Sequence, residues 1–310
     1  MAESVSVRRA VATPARRRHV ERTLTAYLFV GPAVLVLGAF LVYPSVFSFL
    51  LSFYEWNGFT PQWGDFVGLD NYAGLVRDPI FWKATINSIL FVVVRTPLEV
   101  GIAFGLALLL NQNIPGRSFL RTMFFVPVVM SLIVVTILFQ RILEGNAGLL
   151  NTFLRSVGLD SIARIWLGDP ATALPVVIAV SVWKNVGFSL VILLAGLQGL
   201  PQEVLEAARC DGADRRQLTL KVVVPLMKPI IAIATVLSII GGLKVFDLIY
   251  ILTRGGPTYA TEVFATMLYR HAFDLNEMGV ASALAVIMVL VIMGTSRIQT
   301  LLLHENQGER

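Results

Sequence analysis

The sequence predicts an all-α integral membrane protein with six transmembrane helices, on three observations. Hydrophobic residues fill 56% of the 310 positions and charged residues only 15%. Mean hydropathy is +0.74, far above that of a soluble domain. The apolar residues gather in six stretches, each long enough to cross a bilayer core of about 30 Å as a helix that leaves no backbone polar group unpaired in lipid.

In chain order, a basic tail over residues 1–23 carries Arg8, Arg9, Arg16, Arg17, Arg18 and Arg22. The apolar run behind it is too long for a signal-peptide core and has no small-residue cleavage site, so it is read as an uncleaved first span. The expected spans are Leu24–Phe53, Ala84–Leu110, Phe119–Phe139, Ala171–Leu197, Val222–Leu252 and Gly279–Leu303. Together they make one six-helix transmembrane domain over 24–303, followed by a short tail over 304–310. Pro32, Pro44, Pro97, Pro127, Pro175, Pro225 and Pro229 fall in or at the ends of spans, where neighbouring helices can satisfy the freed carbonyls.

Lys and Arg orient the spans, because positive residues stay in the cytoplasm. The amino tail, the 111–121 and 198–228 connections and the carboxyl tail hold fifteen, against seven in the 54–83, 140–170 and 253–278 connections. Both termini are therefore expected inside. Among the outer segments, Asn146–Leu159 has Leu149, Leu150, Phe153, Leu154 and Val157 at helical spacing, which suits a short helix on the interface. Trp56, Trp63, Trp82 and Trp166 sit near span ends on the same side, as an interfacial belt does.

One inner connection, the insert over 200–221, is unlike a simple link. Pro201 suits the first turn of a helix running from Gln202 to about Cys210. Asp211-Gly212 breaks it, Gly tolerating positive φ and Asp being able to cap the next helix. A second short helix should pass through Arg215 and Leu218 until Pro225 hands over to the fifth span. The insert is longer than a connection needs, and Ala207 and Ala208 are small enough for close approach by something in the cytoplasm.

Several chemistries are excluded. There is no G-x-x-x-x-G-K-[ST] phosphate loop, no H-E-x-x-H and no G-x-S-x-G. The single cysteine, Cys210, forms no internal disulfide, and His19, His271 and His304 fall in tails or an outer loop with no partner visible in sequence. No basic stripe interleaved with aromatics suggests nucleic acid.

"EVLEAARCDGADRRQLTLKVVVPLMKP", residues 203–229, resembles the signature loop of permease subunits of binding-protein-dependent ABC importers, with E-A-A, D-G-A and P-L in register. "FVGLDNY" (66–72), "DPIFWKATINS" (78–88), "FFVPVVMS" (124–131), "VWKNVGF" (182–188), "KVFDLIYILTRGGP" (244–257) and "LYRHAF" (268–273) are similar to the carbohydrate-uptake branch. More narrowly they are similar to its first permease, of the larger maltose-importer type, without that relative's extra amino-terminal spans and large outer domain. The resemblance implies a type I ABC importer permease architecture in a bacterial or archaeal cell membrane. It implies a second permease subunit, a dimer of ATP-binding subunits that hydrolyses the ATP, an extracytoplasmic sugar-binding protein and a sugar or polyol substrate, with no cofactor or metal on this chain. Glu206, Ala207, Ala208, Asp211, Gly212 and Ala213 would form the ATPase-coupling loop, with Glu206 making a polar contact and Gly212 holding the turn.

Arg95, Glu99, Lys184, Lys244 and Asp247 lie within expected spans, where a charge at the bilayer centre costs roughly 2.5–3.5 kcal/mol. Arg95 and Glu99 are four apart and predict an ion pair, and Lys244 and Asp247, three apart, could pair likewise. Lys184 has no local partner; with Asn185 and Phe188 it offers a cation, an amide and a ring to a polyol. On the family pattern, Lys184, Asn185, Phe188, Ser238, Gly242 and Lys244 line the substrate pathway between the fourth and fifth spans, although Ser238 and Gly242 serve helix packing equally well. Gly101 to Gly105 matches a small-xxx-small packing motif. The alternative function is a secondary, ion-coupled transporter using Lys184 and Asp247. It would need no docking insert, and it should show inverted repeats and broken helices, of which the sequence gives no sign.

Overall fold

The computed structural model describes residues 27–60 and 64–305, so the tails over 1–23 and 306–310 and Trp63 lie outside the described residues. It divides into two compact units, residues 1–50 and 51–310. The described residues of the first unit all lie in the helix α1, Tyr27–Leu51, with apolar side chains such as Phe29, Leu35 and Phe40 exposed. A π-helical turn over Gly38–Val42 precedes Pro44, which has no N–H for the ladder, and the Ser45 hydroxyl donates to the Leu41 carbonyl at 2.7 Å.

The second unit opens with a short antiparallel pair, β1 (Tyr54–Glu55) and β2 (Asp65–Phe66), and helix α2 (Asp70–Arg77). Two long helices follow the same start signal. Asp78 caps α3 (Pro79–Leu110) by accepting from Ile80 N–H at 2.8 Å, and Asp169 caps α7 (Pro170–Gln198) by accepting from Ala171 N–H at 2.9 Å. In each a proline fills the first helical position, where its missing N–H leaves nothing unpaired. Both helices therefore begin earlier than Ala84 and Ala171, the expected starts.

Between them lie α4 (Arg117–Val129), α5 (Leu132–Ile142) and α6 (Leu149–Ser156). Phe119–Phe139, expected as one span, is a pair of helices bent by 97° at Met130-Ser131. The outer helix expected over 146–159 forms as α6, with Asn151 buried and Leu149 and Phe153 exposed. After α7 come α8 (Gln202–Cys210), α9 (Arg215–Leu243), α10 (Asp247–Leu252), α11 (Phe264–Tyr269) and α12 (Met278–Glu305). The fifth span is thus also not the continuous 222–252 helix the hydropathy suggests: it ends at Leu243, and α10 resumes after an irregular Lys244–Phe246.

The α3–α7 pair is the axis of the unit, with α9 packed across both, α4 on α7, and α10 on α5. One core at the insert end joins Ala103, Ala107, Leu190, Leu193, Met227 and Ala234. A second, at the opposite end, joins Phe91, Val135, Val177, Ile178, Leu248 and Ile249. A third packs α2, α3, α11 and α12 through Leu75, Phe81, Phe264, Met267 and Leu284. The residues of α3 are sorted inside out relative to a soluble helix. Asn87, Ser88, Arg95, Thr96 and Glu99 are buried, while Ile86, Leu90, Val93, Leu98 and Ile102 face outward, as lipid requires. A Cβ added to Gly101 or Gly105 would meet nothing within 4 Å, so this motif packs against no part of the described chain.

At Gly187 the backbones of α4 and α7 come into close contact: a Cβ there would overlap the Phe124 carbonyl oxygen and lie 3.0 Å from a Val128 methyl. Backbone cannot yield as a flexible side chain can. Gly187→Val is expected to cost about 1–3 kcal/mol of stability and to lower the thermal midpoint in detergent by several degrees; an unchanged midpoint would refute this packing.

Candidate functional site

The insert is a helix held at its edge and free on its face. Leu205 packs against the insert-end core and Ala208 is half-buried, whereas Glu203, Glu206, Ala207 and Cys210 form an exposed stripe at helical spacing. Pro201 stands just ahead of α8 as its N-cap rather than inside the first turn. The end of α8 is a Schellman motif: Gly212, at φ +83°, donates to Arg209 O at 3.0 Å and Ala213 donates to Ala208 O at 3.0 Å. Asp211 closes that helix as its C-cap and does not cap the next. Asp214 is the cap, in a reciprocal box with Gln217: it accepts from the Gln217 N–H at 2.6 Å while its own N–H donates to the Gln217 side chain at 3.2 Å. Nor does the second helix stop at Pro225. It continues into the fifth span through a π-helical turn at Leu218–Val223, which absorbs the proline's missing donor.

A buried polar layer crosses the unit between its two axial cores. Arg95 and Glu99 form the ion pair their spacing predicts, at 2.7 Å. The Glu99 carboxylate also accepts from Ser189 at 2.7 Å and Ser238 at 3.1 Å, and Arg95 donates to the Ser238 carbonyl at 2.8 Å. Thus α3, α7 and α9 are joined through one carboxylate and one guanidinium. A Cβ on Gly242 would meet Val92 at 2.9 Å and Arg95 at 3.2 Å, so Gly242 belongs to the same contact.

Lys184 does something else. Its ammonium donates to the carbonyls of Pro127, Val128 and Met130 at 3.1, 3.3 and 3.2 Å, which are those exposed by the end of α4 at the 97° bend. Three donors meet three acceptors. One turn further along α7, Gly187 seats the same helix end. Asn185 donates to Ser181 O in its own helix at 2.8 Å, and Phe188 is exposed. Lys244 and Asp247 do not pair: Lys244 ends α9, Asp247 opens α10, and Phe246 between them, at φ −129° and ψ −68°, takes the chain off the helical path. Both are exposed, with no ion pair among the described residues. Of the six pathway residues chosen from sequence, Ser238 and Gly242 meet around Arg95. No hydrogen bond or ion pair among the described residues joins them to Lys184, Asn185, Phe188 or Lys244.

If Lys184 holds the bend, Lys184→Met leaves three carbonyls without their donor and should lower thermal stability in detergent by several degrees with no substrate present, while Lys184→Arg restores most of the loss. Equal melting of Lys184→Met and the parent would mean the bend stands without it.

Sequence reasoning missed a scaffolded loop between α10 and α11. Along α3, Lys83 donates to Thr258 O at 2.6 Å, Asn87 to Tyr259 O at 3.1 Å and Glu262 O at 2.9 Å, and the Ser88 hydroxyl accepts from Phe264 N–H at 3.1 Å. The i, i+4, i+5 spacing of these polar residues was the available signal. Arg254, Thr258 and Tyr259 have positive φ within this loop. Glu262 is only 2% exposed, and its nearest cation is Arg270, 3.8 Å away. His271, with no partner apparent in sequence, lies 2.8 Å from the Glu277 carboxylate. A separate cavity of about 300 Å³, lined by Glu55, Trp56, Asp70, Asn71 and Glu277, contains none of the six pathway residues chosen from sequence.

Burial raises the Glu262 carboxyl above the ordinary 4.5, with Arg270 and Thr266 opposing the rise and Asp274 adding to it. The folded chain therefore keeps a proton that the unfolded chain has released. That contribution is complete below pH 4.5 and is lost as pH rises through the higher folded value. Hydrogen exchange in 253–264, corrected for intrinsic pH dependence, should show less protection on going from pH 5 to pH 8, and Glu262→Gln should flatten the response.

A bundle of bent and straight apolar helices around a polar layer, bearing an exposed amphipathic helix on one connection, defines a multi-span membrane transport subunit. Residues 100–304 match the family described as "Binding-protein-dependent transport system inner membrane component", and the chain belongs to that family. It is 38% identical to the probable ABC transporter permease protein YurN of Bacillus subtilis, over 90% of this chain and 96% of that one. It is 32% identical to the trehalose/maltose transport system permease protein MalF of Thermococcus litoralis, over 86% and 89%. With the lactose transport system permease protein LacF of Rhizobium radiobacter the identity is 31% over 89% and 93%. The fold is shared with a bacterial ABC transporter involved in the import of the acidic polysaccharide alginate, at TM-score 0.80 and 22% identity, over 94% of this chain and 99% of that chain.

Proposed function

We propose that this permease moves a sugar or related polyol into the cell, paired with a second permease subunit, driven by a dimer of ATP-binding subunits and supplied by an extracytoplasmic binding protein. The observation that carries the reading is α8, whose Glu203, Glu206, Ala207 and Cys210 face is uncovered while its other edge is anchored and its end fixed by Gly212. A helix built so firmly and left so bare is suited to docking. The sequence has no phosphate loop of its own, and the relatives named for maltose, trehalose and lactose transport favour a carbohydrate. The charge asymmetry supports cytoplasmic termini and a cytoplasmic α8.

In this reading Glu206 makes the polar contact to the ATP-binding subunit, Ala207 and Ala208 permit close seating, and Asp211, Gly212 and Ala213 set the turn. Nucleotide-driven closure then moves α8 as a rigid body with the spans on either side, giving alternating access. Along the pathway, Asn185, Phe188 and Lys244 have surface to offer a polyol. Lys184, Ser238 and Gly242 contribute by fixing the helices that present them. The bent third span is a feature shared with secondary transporters, but a docking helix has no role there.

Glu206→Lys reverses the charge at the centre of the exposed stripe. It is expected to abolish ATP-driven uptake in proteoliposomes and the co-purification of the ATP-binding subunit, while membrane insertion is retained. Uptake at the parent rate, or uptake without any ATP-binding subunit, would sink the proposal.

A further inference from the structure

Four aromatic rings stand together where the fifth span breaks. Phe246 and Tyr250 are stacked with centroids 5.1 Å apart, Tyr269 lies 5.3 Å from Phe246 and 4.7 Å from Tyr250, and Phe273 lies 4.9 Å from Tyr269. Phe246 stands at the N-cap of α10, Tyr250 lies within α10, and Tyr269 and Phe273 come from α11 and its π-helical continuation, Arg270–Asp274. None of them belongs to the three apolar cores. Phe273 is 59% exposed and the other three are half-buried, so the group presents ring surface rather than filling an interior.

What surrounds the rings decides what they face. Lys244 and Asp247 flank Phe246, both exposed and neither paired within the described chain. The Arg254 guanidinium lies 6.0 Å from the centre of the Tyr250 ring. Lipid chains are a poor neighbour for a patch holding three charges and two phenols. A sugar ring is a good one, having an apolar C–H face to lie on an aromatic and a rim of hydroxyls for charged and phenolic partners.

We propose that Phe246, Tyr250, Tyr269 and Phe273 form a stacking surface for sugar rings at the mouth of the pathway, with Lys244, Asp247 and Arg254 taking the hydroxyls. This rests on the proposed import of a carbohydrate and extends its contact region from Lys244, at the end of α9, onto the rings at α10 and α11. Each exposed ring contributes through its face, so the aromatic character of a position matters more than its hydroxyl.

The test uses the complete importer in proteoliposomes and whichever of maltose, trehalose, lactose and galacturonate the parent imports best with its binding protein. The Tyr269→Ala, Phe273→Ala double variant is expected to lower uptake at subsaturating binding protein about tenfold, with the subunits co-purifying in the parent ratio. Tyr269→Phe should stay within about twofold of the parent. Uptake in the double variant equal to the parent overturns the stacking surface alone and leaves the importer standing. Loss of subunit co-purification overturns it too, assigning the rings to the interface with the second permease. A parent that imports none of the four sugars overturns the carbohydrate reading together with this one.

Discussion

The Arg95–Glu99 pair is the interaction on which the arrangement of the spans depends. Apolar side chains gain little by meeting one another rather than lipid, so burial alone does not choose neighbours for a membrane helix. A carboxylate and a guanidinium in that setting do choose. Glu99 must be satisfied, and Ser189 of α7 and Ser238 of α9 satisfy it. Arg95 then takes the Ser238 carbonyl. Removing one member of such a buried pair strands the other, at a cost of about 3–5 kcal/mol, whereas replacing an outward Ile or Leu of α3 changes one lipid contact for another.

The same logic explains the bend. A helix that stops within the membrane exposes its last carbonyls, and only a strong donor nearby makes that tolerable. Lys184 supplies three bonds from one side chain, and Gly187 removes the bulk that would hold the helix end away. A cation in a span is usually accounted for by a partner carboxylate. Here the partner is the negative end of a helix.

These features divide sharply in how far the sequence discloses them. Composition and span count suffice for the helical membrane class, and the i, i+4 spacing suffices for Arg95–Glu99, because both are local. The Asp-Pro pairs at 78–79 and 169–170 were equally local and mark true helix starts that a hydropathy window passes over. The break at Met130-Ser131 has no glycine at the bend, and Pro127 lies within α4; the donor that satisfies its freed carbonyls is a lysine on another helix, 54 residues from Met130 in sequence. The Lys244–Asp247 pair failed for a related reason, since three-residue spacing brings side chains together only where the chain stays helical. At the insert, two aspartates compete for one capping role. Asp214 takes it because Gln217 can answer it three residues on, and Asp211 has already been used to end α8.

The unbroken run from Arg215 to Leu243 also has a mechanical meaning. At about 1.5 Å per residue, it is a rod of roughly 43 Å, packed into the insert-end core by Val223, Met227 and Ala234 and joined further along to Arg95 through the Ser238 carbonyl. Gripped at several points, it has no single pivot. A push at the insert is therefore carried as a shift of the whole rod toward the irregular Lys244–Phe246 segment. That segment is the joint at which a movement begun at α8 can change direction.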